Sequence, residues 1–81
     1  MPDTQSQINI VKRMLKYVRR KGTDNHKLVV KSVDKFGANN RLTAKHEGAF
    51  EAYRELAGYL ENVLMDLEHN LEVESMEATD E

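Results

Sequence analysis

Residues 43–71 read TAKHEGAFEAYRELAGYLENVLMDLEHNL, a stretch that no proline interrupts. Its apolar residues are Phe50, Tyr53, Leu56, Ala57, Leu60, Val63, Leu64, Leu67 and Leu71. Steps of three and four residues follow the 3.6-residue period of an α-helix and put this set on one face. Tyr53, Leu60 and Leu67 lie seven apart, as do Leu56 and Val63, and Ala57, Leu64 and Leu71 form a third row. Three rows make the broad face of a bundle helix rather than a two-row coiled-coil seam. Glu51, Arg54, Glu55, Asn62, Asp66 and His69 face away from it. Thr43, preceded by Leu42, suits the N-cap, and Glu47 places a negative charge at the positive pole of the helix dipole. The pattern predicts a C-terminal helix over about 43–71, about 43 Å long at 1.5 Å per residue.

Upstream, Gly37-Ala38-Asn39-Asn40 reads as a loop. Before it, Val29, Val30, Val33 and Phe36 fit the face of a second helix over about 24–36, with Thr23, Asp24 or Asn25 as N-cap and Gly37 as its stop. The valines are β-branched and favour strands. A strand, however, would put Leu28, Val30, Ser32, Asp34 and Phe36 on one face, where apolar and charged groups mix. A hairpin turning at 37–40 is the alternative. A first helix is expected over about 4–21. Thr4 and Gln7 have the spacing of a capping box, Ile8, Val11, Leu15 and Val18 form a stripe that Met14 widens, and Gly22 suits a left-handed stop after Arg20 and Lys21. That helix would be about 27 Å long, too short to cover the third.

The predicted architecture is therefore all-α: a small three-helix unit with a long C-terminal helix, completed as a helical bundle by dimerisation. The domain spans 1–72, and 73–81 is an acidic, disordered tail. Tyr53, Leu56, Leu60, Val63, Leu64, Leu67 and Leu71 are the expected dimer or partner interface.

A net charge of −2 conceals a division along the chain. Residues 1–46 hold eleven basic and three acidic residues, a sum of +8, and residues 47–81 hold one basic and eleven acidic residues, a sum of −10. Lys12, Arg13, Lys16, Arg19 and Arg20 fall on the arc of the first helix opposite its apolar stripe. Lys21, Lys27, Lys31 and Arg41 extend that arc, making a candidate surface for phosphates. Ile10 and Tyr17 flank it on one side, either as a contact for a neighbouring element or as an apolar rim to the basic surface. A helix-turn-helix reader starting at Asn39, Asn40, Arg41 and Lys45 is disfavoured, because Glu47, Glu51 and Glu55 would meet phosphate within three turns.

Other classes are excluded or left without support. The 81 residues suffice for one small domain, and the absence of cysteine removes disulfides and thiolate metal sites. No apolar run exceeds three residues, so neither a membrane helix nor a signal-peptide core is expected. Gly22, Gly37, Gly48 and Gly58 form no phosphate loop, and Ser6, Ser32 and Ser75 sit in no nucleophile motif. Asp66, His69 and Glu72 have metal-like steps but point away from the apolar face. His46 fits a partly buried structural role, and His26 an exposed one. No catalysis, cofactor, metal or small-molecule substrate is expected. The expectation is a cytoplasmic accessory or regulatory protein that docks an anionic partner, nucleic acid first, without strong sequence reading. The alternative is a protein-interaction module that uses the leucine stripe or acidic face of the C-terminal helix.

Overall fold

The computed structural model describes residues 3–79, with side chains up to residue 77. Two helices make up the fold: α1, Thr4–Phe36, and α2, Arg41–Thr79. They lie antiparallel as a hairpin, 65 Å long and 17 by 15 Å across.

The two predicted N-terminal helices are one. Gly22 does not stop α1; it is buried in the helix interface, where a methyl group added to it would lie 3.6 Å from Tyr53 Cβ. The residues expected to cap a second helix serve the first one instead. Thr23 Oγ1 donates to the Arg19 carbonyl at 3.0 Å and Asn25 Nδ2 to the Lys21 carbonyl at 2.8 Å. Such back-bonding to the fourth preceding residue lets Thr and Asn sit inside a helix.

The continuous helix exposes a regularity that a break at Gly22 hides. Ile8, Val11, Leu15, Val18, Gly22, Asn25, Val29 and Ser32 alternate in steps of three and four, and all are buried or half-buried. On α2 the same alternation runs through Thr43, His46, Phe50, Tyr53, Ala57, Leu60, Leu64, Leu67 and Leu71. This is a two-row heptad seam on each helix, so the three-row expectation is corrected. Leu56 sits one position off the seam and is 43% exposed. Val63 is likewise one position off but packs partly against the core formed by Val11, Leu15, Val18 and Leu60. The leucine stripe that seemed to need a second chain is covered by α1 of the same chain.

The ends are fixed by polar contacts. Asp3, not Thr4, is the N-cap of α1: its carboxylate accepts the Ser6 N–H at 2.7 Å. That bond holds the Asp3 carboxyl below its ordinary value, so the cap is kept on acidification until the pH falls through the lowered value. Thr4 reaches across to α2 instead, donating to Glu74 at 2.8 Å. Glu74 belongs to the segment expected to be disordered, yet α2 continues to Thr79; residues 80–81 of the expected tail lie outside the described residues. α1, starting at Thr4, gives α2 a surface to lie against past Leu71 as far as Glu74.

Gly37 does end α1, as its position before the loop suggested. Its φ of 88° and ψ of 163° lie in a region essentially reserved for glycine. Its N–H bonds the Val33 carbonyl at 2.9 Å. Asn40 then caps α2, accepting the Leu42 N–H at 2.8 Å, which displaces Thr43 from the expected cap. Thr43 is instead fully buried and donates to the Gly37 carbonyl at 3.0 Å. Its proton being used there, the 2.6 Å contact with Ser32 has Ser32 Oγ as donor.

Two glycine substitutions separate this fold from the three-helix alternative. Gly22→Ala should stabilise the hairpin by about 0.5–1 kcal/mol, since the site is helical and the methyl has room. Were Gly22 a left-handed stop, urea denaturation would show a loss. Gly37→Ala should cost about 1–3 kcal/mol by the same measurement, through backbone conformation alone, because nothing lies within 4 Å of the added methyl.

Candidate functional site

The seam consumes one stripe of each helix, and the rest of α1 is strongly basic. The helix holds nine basic and two acidic residues, net +7, whereas α2 holds three and nine, net −6. Lys12, Arg13, Lys16, Arg19, Arg20, Lys27 and Lys31 are all exposed on α1. They span about 29 Å of helix axis. Arg41, exposed, opens α2 at the turn, where the Ser32–Thr43 contact sets the register of the two helices, so it stands at the Lys31 end of the basic row.

The residues are not equivalent. Arg19 lies beside the seam and pairs with Glu61 at 2.8 Å. Both partners are about half exposed, so the pair adds little to stability and turns Arg19 toward α2 rather than outward. Arg13, Lys16 and Arg20 lie on the outer face and converge on Tyr17, lining with it a depression of about 240 Å³. The Lys21 ammonium sits 5.6 Å from the Tyr17 ring centroid, a cation–π contact on the same side. Tyr17, half exposed, is thus ringed by four cations. Its place beside Arg13 and the membership of Lys21 in the basic surface are legible in the helical pattern, whereas the contact of Lys21 with the Tyr17 ring is seen only in the structure.

Residues 12–21 contain six cations and no acid. Lys12, Lys16 and Arg20 stand four apart, as do Lys27, Lys31 and Lys35. Like charges at this spacing repel by about 0.2–0.5 kcal/mol per pair. Only Arg19 is in an ion pair among the described residues, so the row is an electrostatic cost that the fold carries uncompensated.

The expected partner interface on α2 is divided. Tyr53, Leu60, Leu64 and Leu67 are packed in the intramolecular core, Leu71 is half-buried, and Leu56 stays exposed. His26 stacks at a tilt on Phe50, ring centroids 5.2 Å apart, and His46 occupies a seam position. Among the described residues no three His, Asp or Glu side chains gather as a metal-binding group, and no helix is long and apolar enough to cross a membrane. No family model, curated protein or solved structure matches the chain.

Relief of the repulsion can be measured without any ligand. Lys16→Gln removes the like-charge pairs with Lys12 and Arg20 four residues away and with Arg13 and Arg19 three away, at nearly equal helix propensity, and should raise stability by about 0.5 kcal/mol or more at low salt. That is an increase of about 2–4 °C in Tm for a chain of this size. The gain should shrink as sodium chloride screens the row. A lower Tm would mean that Lys16 has an acidic partner.

Proposed function

We propose that the hairpin is a small non-catalytic docking protein whose α1 outer face binds the phosphate backbone of nucleic acid. The observation that carries this function is the cluster of Arg13, Lys16, Lys21 and Arg20 around the exposed Tyr17 ring, with no acid among residues 12–21. Phosphates neutralise the cations that repel one another in the free protein, and counterion release supplies affinity. The tyrosine ring offers a stacking face for an unpaired base, as on other single-strand-binding surfaces. A row of about 29 Å matches roughly eight phosphates along one strand at 3.4 Å each. Between Lys12 and Lys21 the outer face of α1 carries Lys and Arg but no Asn or Gln, which fits backbone binding rather than base reading. The acidic outer face of α2 repels the same ligand and so leaves a single orientation for docking.

Fluorescence anisotropy with labelled single-stranded and duplex oligonucleotides tests the function. Binding should fall linearly in log–log form with salt, with a slope of about −3 to −6 for four to seven neutralised phosphates. Lys16→Glu with Arg20→Glu should weaken binding at least about tenfold and flatten the slope by about 2. Absence of binding by the wild type to either form at low salt would overturn the proposed function.

A further inference from the structure

The hairpin leaves a second apolar surface uncovered, distinct from the seam. Ile10, Met14, Tyr17 and Leu56 are 42%, 48%, 53% and 43% exposed. With Arg13 and Val18 they line one open depression of about 570 Å³ that spans both helices. Met14 and Leu56 each immediately precede a seam residue, Leu15 and Ala57, as Val63 precedes Leu64. The residues preceding the seam therefore meet on one flank. The opposite flank holds the residues that follow the seam, and there Arg19, Arg54 and Glu61 line a polar groove. At the level of Ile10 to Val18 the rod has one dry flank and one wet flank, and elsewhere the dry side continues through Lys21, Lys31, Lys45 and Asp66.

The dry flank is bordered by opposite charges, net +7 along α1 and net −6 along α2. A twofold axis that runs along the rod within the contact plane exchanges these borders, laying the basic helix of one copy over the acidic helix of the other. A twofold axis across the rod lays like on like. The flank is thus complementary to itself in a single orientation. We propose that the flank containing Ile10, Met14, Tyr17 and Leu56 is the contact face of a symmetric dimer, two hairpins side by side with their turns at the same end. In that arrangement every helix has an antiparallel neighbour of opposite charge, as in an up-and-down four-helix bundle. The whole side of a 65 by 15 Å rod, of which the apolar strip forms one part, offers on the order of 1,000 Å², compared with about 800 Å² per partner in a stable interface. The proposed dimer uses this flank and not the leucine stripe expected from the sequence. Lys16 and Arg20 stand beyond the apolar strip, whereas Arg13 and Tyr17 line both it and the basic depression, so the dimer leaves the phosphate-binding row open but covers the Tyr17 ring.

The tests use the full chain without nucleic acid. Analytical ultracentrifugation should give twice the 9.3 kDa chain mass. Met14→Glu with Leu56→Glu should weaken association at least about a hundredfold with unchanged helical circular dichroism, since both side chains already stand half in water. The chain has no cysteine, so Ala38→Cys gives one nitroxide site per copy, at the turn. Pulsed electron–electron resonance should place the two labels within about 30 Å, given helix spacings of 8–10 Å. A separation near the 65 Å rod length would overturn the orientation. A monomeric wild type, or a dimer that survives the double glutamate substitution, would overturn the interface. The turn label lies far from the flank and reports on a folded protein even if the glutamate variant does not fold.

Discussion

The structure depends on one constraint: two helices side by side share a single seam. Each contributes a narrow strip, repeated in steps of three and four, and that strip must satisfy all the burial the hairpin has. The strip is uneven. Toward the chain ends it is aliphatic, with Ile8, Val11, Leu15 and Val18 set against Leu60, Leu64 and Leu67. Toward the turn it contains Gly22, Asn25 and Ser32 facing Thr43, His46 and Tyr53. Where apolar contact thins out, hydroxyl and amide hydrogen bonds replace it and the covalent turn holds the helices together. Every buried side-chain polar atom among the described residues has a partner, so the polar half of the seam gives direction to the pairing without stranding a donor.

The single seam also explains the electrostatics. A helix in a larger bundle has several neighbours, and its charges are distributed among them. Here each helix turns most of its circumference to water, so α1 can be strongly basic and α2 strongly acidic with Arg19–Glu61 the one ion pair between them among the described residues. The result is a dipole across a rod 17 Å wide, not along it. A field of that shape orients a charged partner before contact and is strongest at low ionic strength.

The helical class, the stop at Gly37 and the basic face of α1 were legible in the sequence because each rests on local chemistry. Period, positive-φ glycine and charge placement need no knowledge of the second helix. The break expected at Gly22 was not real, because Thr23 and Asn25 carry cap chemistry that back-bonding to Arg19 and Lys21 uses inside a helix. A small residue at a seam position and a small residue at a helix stop look alike until the opposing Tyr53 is known. Counting across residues 18, 22, 25, 29 and 32 would have kept the three–four alternation intact and argued against the break. Leu56 and Val63 were assigned to the seam because they are apolar and seven apart. Their placement one step to its side appears only once α1 selects the two rows it covers. The caps at Asp3 and Asn40 were each within a few residues of the expected ones, and they displaced Thr4 and Thr43 into contacts that cross between the helices.

The uneven seam has a consequence for how the chain reaches this shape. The contact cheapest in loop entropy is Ser32 with Thr43, eleven residues apart, and it lies where apolar burial is least. The contacts that bury the most join residues such as Val11 and Leu64, more than fifty positions apart. Folding that starts at the turn therefore advances through weak, local pairings, and the large hydrophobic gain arrives only as the two ends meet. Such a hairpin closes like a zipper whose strongest teeth are the last to engage, with a late barrier for a protein of such simple topology.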